Sequence, residues 1–135
     1  MTRPLAVFDA SLLLRAALDR SEEARAWTSR VQQREIDALV PDLIWAELTN
    51  VLAYQVRAGA IEAAAAAAVL DRLLALPLET HTARSTAAGA FATALSHGLS
   101  GYDAFYLVLA DTAGAILVTA DRKLARAASR AELIA

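Results

Sequence analysis

Short apolar runs, each bounded by an acid or a turn residue, alternate along the chain with longer stretches whose apolar positions recur every three or four residues. That alternation predicts strands interleaved with amphipathic helices. Leu5 to Phe8 reads as a buried strand ended by Asp9. Ser11 is placed to cap a helix through Leu18, and Ser21 a second from Glu22 to about Gln33. Ile36 to Val40 predicts the next strand. Pro41 and Asp42 are expected to start a long helix ending near Gly59, with Ile44, Leu48, Val51, Leu52 and Val56 on its apolar side. Ile61 to Leu76 is the following helix, stopped before Pro77, and its alanine run from Ala63 to Ala68 gives a smooth, closely packable face. Leu78 to Thr80 predicts a short strand, Thr82 to Ser96 a helix, His97 to Gly101 a loop, and Asp103 to about Thr112 a helix. Ala115 to Val118 is a strand, a short helix follows Asp121, and Glu132 to Ile134 adds an edge strand.

Strands alternating with helices imply a mostly parallel central sheet covered on both faces, a three-layer α/β/α sandwich of the α/β class. No linker, repeat or shift in composition divides the 135 residues, so residues 1–135 are expected to form one domain. In such sheets the ligand crevice lies beyond the carboxyl ends of the strands. Asp9 and Asp121 both fall there.

Composition narrows the chemistry. The 13 Lys and Arg against 15 Asp and Glu give a formal charge of -2, so any nucleic-acid contact must come from a local patch or through bound cations. With no cysteine, disulfides, Cys-ligated zinc, iron–sulfur centres and thiol nucleophiles are excluded; with two histidines, a multi-His site is implausible. A metal here would be a hard, oxygen-ligated one. The apolar run at the N-terminus is too short for a signal peptide, and the most apolar long window, Ala60 to Leu78, carries Glu62, Asp71 and Arg72, so a cytoplasmic protein with no membrane span is expected. The 57% hydrophobic content is high for so small a domain, which points to apolar surface closed against another chain.

The acids need weighing one by one. An Asp between strand and helix is by default a cap, the plain reading for Asp9 and Asp121 and also for Asp103, which follows the loop Ser100-Gly101-Tyr102. Glu47 is more telling: helical spacing puts it beside Leu43, Ile44, Val51 and Tyr54, near the apolar side, where a carboxylate needs a partner. The face of Asp103 continues through Tyr106, Leu107 and Ala110, so it too leans toward the core. Were the four to meet, two unit charges at ~4 Å would repel by about 4 kcal/mol at an effective dielectric of ~20. Such a cluster calls for a cation, and oxygen-only ligation suits Mg²⁺ or Mn²⁺. His81, His97, Asp19, Asp42 and Asp111 read as surface or helix-end groups, and Trp27 and Trp45 as core or interface aromatics, with Trp45 expected to help form a partner surface.

The order Val7-Phe8-Asp9-Ala10-Ser11, Glu47-Leu48-Thr49-Asn50-Val51-Leu52, Tyr102-Asp103-Ala104 and Val118-Thr119-Ala120-Asp121-Arg122-Lys123-Leu124 resembles PIN domains, particularly the VapC-like toxins of bacterial toxin–antitoxin pairs. No one motif is specific; the specificity lies in four motifs in one order with fitting spacing, from end to end of the chain. The resemblance implies a Mg²⁺-dependent endoribonuclease that leaves 5′-phosphate and 3′-hydroxyl ends. It also implies a cognate antitoxin that restrains the enzyme and a homodimer joined with antitoxin chains into a larger complex. By the same resemblance, Asp9, Glu47 and Asp103 match the direct metal-binding acids and Asp121 a more variable fourth. Ser11, Asn50 and Thr119 match supporting polar positions, although each also reads as a local backbone hydrogen bonder or cap. Arg15, Arg84, Arg122 and Lys123 are candidate RNA backbone contacts, or ordinary solvated charges. The competing reading is a catalytically silent PIN-like module that serves as a scaffold or antitoxin-sequestering partner.

Overall fold

A computed structural model describes residues 2–135. The elements run β1 (Leu5–Phe8), α1 (Ala10–Ala17), α2 (Glu22–Gln32), β2 (Asp37–Pro41), α3 (Ile44–Arg57), α4 (Ala63–Leu74), β3 (Leu78–His81), α5 (Ala83–His97), α6 (Gly101–Ala113), β4 (Ile116–Thr119), α7 (Arg122–Ala127) and β5 (Ala131–Leu133). All four strand pairings are parallel, in the order β3-β2-β1-β4-β5, so the expected mostly parallel sheet is wholly parallel. Helices flank it: α6 lies across β1, β2 and β4 with α5 packed on it, while α1 packs against α2, α3, α4 and β4.

The central strands β1, β2 and β4 are near-continuous apolar runs because both their faces are covered, whereas the edge strands β3 and β5 are largely exposed. Val7, Phe8, Val40, Leu117 and Val118 are fully buried, each contributing on the order of 1.5–3 kcal/mol of transfer free energy. The Phe8 ring meets Trp27 edge-on at 6.2 Å, and Arg30 stacks its guanidinium 4.6 Å over the same indole, so Trp27 is a core aromatic with one cationic lid. Trp45 is partly buried and packs against the core.

Element boundaries differ from expectation where a better cap or a pairing partner competes. Ser11 does not cap α1; Asp9 does, accepting the Leu12 N–H at 3.1 Å, and Ser11 lies inside the helix. Pro41 does not open α3 but closes β2, past the end of the β1 register and paired only with His81 of β3. The side chain of Asp42 accepts from Ala83 N–H at 3.0 Å, serving the start of α5 instead of its own helix. Helix α6 starts two residues before Asp103, because Ser100 takes the cap by accepting the Asp103 N–H at 3.1 Å. Asp103 therefore stands in the first turn, relieved of the capping role. Gly98 and Gly114, at φ 62° and 64°, end α5 and α6 in the left-handed conformation that glycine adopts without Cβ strain.

Candidate active site

Strand order reverses between β1 and β4: the chain leaves β1 for β2 on one side and returns to β4 on the other. The crevice at such a switch point opens beyond the carboxyl ends of the two strands. Phe8 pairs with Val118, so the next residues, Asp9 and Thr119, fall side by side although 110 positions separate them. The Thr119 hydroxyl donates to Asp9 Oδ2 at 2.5 Å, and the Ser11 hydroxyl donates to Asp9 Oδ1 at 2.6 Å. Both hydroxyls also accept: Ser11 Oγ from Ala120 N–H at 3.0 Å, and Thr119 Oγ1 from Asp121 N–H at 2.9 Å. These five groups form one network linking β1, α1 and the turn after β4. Asp9 is 6% exposed and Thr119 fully buried.

The other acids arrive on separate helices. Asp121 is exposed and caps α7, accepting from Lys123 N–H at 2.9 Å and Leu124 N–H at 3.1 Å. Glu47 and Asp103, both half-buried, stand in the first turns of α3 and α6. Each of the four carboxylates thus sits at a helix N-terminus, where the macrodipole favours negative charge. Glu47 Oε1 accepts from the Tyr106 hydroxyl at 2.6 Å, a pairing between helices that sequence reasoning had not proposed. Its signals were present: Tyr106 lies three residues after Asp103 on the inward side of a helix, and a buried tyrosine hydroxyl needs a partner. Asn50, also carried as a supporting residue, is not part of either network; it is exposed and shares a cavity of about 380 Å³ with Glu47 and Tyr102.

Electrostatics ties the acids together. Burial pushes the carboxyl of Asp9 up from its ordinary value of 3.8, against the opposing pull of its three hydrogen-bond donors, and the charge of Asp103 adds to the rise. Burial likewise raises Glu47, over the opposition of Tyr106, with further increments from the charges of Asp103 and Asp9. Asp103 is raised first by burial and then by Asp121, while the Ser100 hydroxyl and Lys123 pull the other way. Tyr106 is driven well above the usual phenol range by burial and by Glu47, so it stays a donor. The charge of Asp103 thus acts on Asp9 and Glu47, and that of Asp121 on Asp103. Their repulsion is the local excess of negative charge that a divalent cation would neutralise. Lys123 Nζ donates to the Gly98 carbonyl at 2.6 Å, so the chain's only lysine ties the α5–α6 loop to the start of α7. Arg84 and Arg122 are exposed and Arg15 half-buried.

A wholly parallel α/β sheet with Asp9 at its switch point, and three further acids at helix N-termini whose charges act on it or on one another, defines a class: α/β domains with an acidic cleft. The chain belongs to the PIN domain family, whose profile matches residues 6–130. It is 35% identical over 121 residues to "Ribonuclease VapC3" of Mycobacterium tuberculosis, covering 90% of this chain and 85% of that protein. It is 38% identical over 125 residues to a protein of the same name from Pyrobaculum aerophilum, covering 88% of this chain and 91% of the relative. Among solved structures, PAE2754 from Pyrobaculum aerophilum superposes with a TM-score of 0.78 at 26% identity, over 95% of this chain and 82% of that one. A chain of VapBC2 from Rickettsia felis, solved bound to a DNA fragment from the promoter, shares the fold with a TM-score of 0.70 at 14% identity, over 97% and 99%.

Proposed function

We propose that the chain is a VapC-type endoribonuclease toxin, one PIN domain across residues 1–135, which hydrolyses RNA phosphodiester bonds with Mg²⁺, or Mn²⁺, at Asp9, Glu47, Asp103 and Asp121. The observation that carries the reading is the electrostatic convergence of these acids on the β1–β4 switch point, each carboxylate raised by or raising another. The two relatives named as ribonucleases support the reaction class.

The residues fit such an ion in donor type and charge. All are carboxylates, and Mg²⁺ is commonly held by one or two carboxylates with waters completing its shell. Among the described residues no three acids stand ready-made around one point, so binding calls for adjustment of the less buried side chains. When bound, the ion lowers the pKa of water and offsets charge on the phosphoryl oxygens. The chain's own share is positioning: Ser11 and Thr119 fix the Asp9 carboxylate, Tyr106 fixes Glu47, and Ser100 sets the first turn that carries Asp103.

The substrate is RNA, in line with the ribonuclease names of the relatives, and the restraining partner is a cognate antitoxin. Phe91 and Leu95, 68% and 71% exposed on α5, are apolar surface of the kind a homodimer or antitoxin contact covers. Among the described residues no helix is long and apolar enough to cross a membrane.

Asp9→Asn is the direct test. Cleavage of single-stranded RNA in Mg²⁺ should fall by more than about 100-fold, beyond the usual loss on removing a ligand's supporting partner, with circular dichroism unchanged. Cutting at the parent rate would overturn the assignment and leave the non-cutting scaffold reading.

A further inference from the structure

Beside the acidic cleft, α3 and the start of α6 enclose an open cavity of about 380 Å³ lined by Ala46, Glu47, Asn50, Val51 and Tyr102. Its composition differs from that of the cleft. Tyr102 is 67% exposed although it immediately precedes the half-buried Asp103, so its ring is held at the rim by a helix turn that Ser100 caps. Among the described residues the Asn50 amide has no hydrogen-bond partner, and Asn50, one turn after Glu47 on α3, lines the same cavity. Val51 and Ala46 supply apolar wall.

An exposed aromatic face, an unengaged amide and a short apolar wall are the parts with which proteins grip an unstacked nucleobase. The base stacks on the ring, and the amide hydrogen-bonds its edge. Glu47 belongs to both places, so a base seated here would lie within one nucleotide's reach of the cleft. We infer that this cavity is a nucleobase subsite, in which Tyr102 stacks an unpaired base of single-stranded RNA flanking the cut and Asn50 reads its edge. The inference rests on the ribonuclease reading for its ligand class. Tyr102 and Asn50 thereby become specificity-determining residues of a chain whose net charge of -2 gives it little general hold on RNA.

The test separates the subsite from the cutting reaction. Binding of a fluorescein-labelled single-stranded RNA, carrying an intact or an abasic position walked along the strand, is followed by anisotropy in the Asp9→Asn background. Tyr102→Ala, Tyr102→Phe and Asn50→Ala are each compared with it, and thermal melts confirm folding. Loss of one base stack predicts roughly 5- to 150-fold weaker binding for Tyr102→Ala. Tyr102→Phe should stay near the background, and the Tyr102→Ala penalty should vanish on the RNA that lacks the stacked base. Asn50→Ala should flatten the preference for one base at that position. Binding of every RNA by Tyr102→Ala as tightly as by the background would overturn the inference, as would loss of antitoxin binding with RNA binding intact, which would make the rim a protein-docking site. Tyr102-dependent binding in a parent protein that cuts no RNA would uphold the subsite and remove the nuclease reading alone.

Discussion

On the β1–β4 side of the cleft, Asp9 receives hydrogen bonds at both carboxylate oxygens from Ser11, Leu12 and Thr119, inside a nearly closed shell. On the α3–α6 side, Glu47 has one phenolic partner, Asp103 rests on Ser100, and Tyr102 and Asn50 stand open to solvent. The first side is stitched into the sheet, so its geometry is inherited from strand register and cannot shift without disturbing the core. The second hangs on first turns of two helices and can adjust to an ion or an RNA strand. On the proposed function, one half of the site serves fixed placement and the other capture, and the two should respond differently to the same kind of damage.

The largest response is expected from Thr119→Val, which keeps the shape but deletes a hydroxyl that donates to Asp9 and accepts from Asp121 N–H. With the buried Asp9 carboxylate left short of a donor and the part-buried Asp121 N–H of an acceptor, unfolding in urea should show a loss of about 1–3 kcal/mol. Cleavage should fall roughly 10- to 100-fold. Next comes Tyr106→Phe on the open side. Water can reach half-buried Glu47, so stability should drop by no more than about 0.5–1.5 kcal/mol, while Mg²⁺ affinity, read from the metal-dependent rise in Tm, weakens about 10-fold. A Tyr106→Phe protein as destabilised as Thr119→Val, with its metal response intact, would erase the distinction between the halves.

The smallest effect is a pH trend in the metal-free protein. Asp9, Glu47 and Asp103 all have folded values raised above the unfolded 3.8 or 4.5, so the native state binds more protons than the unfolded chain in that window. Their contribution is fully present below the unfolded values and is lost as pH climbs through the raised ones. In EDTA, Tm should therefore decline from about pH 4 upward for these groups, and Mg²⁺ should restore it near neutrality by binding the native state. The trend should be blunted in Asp9→Asn, whose buried group no longer titrates, and a parent protein whose Tm ignored both pH and Mg²⁺ would speak against a charge-strained site.

Much of this was legible from residue order alone. Apolar runs near Leu5–Phe8, Leu39–Val40 and Ile116–Val118 announced a parallel sheet, Ser21 announced its helix, and Asp9 and Asp121 stood where such sheets bind ligands, because burial on both faces and helix periodicity are local patterns. The four acids could be named from the same order and spacing. Only the fold decided what holds them. Register at Phe8 and Val118 brought Thr119 to Asp9, the packing of α6 across β1 and β2 brought Tyr106 to Glu47, and competition among caps settled the α1 cap on Asp9 over Ser11 and gave Ser100 the role expected of Asp103. Those pairings span 110 and 59 residues, so no local pattern encodes them; they exist because a packed core fixes which distant positions become neighbours.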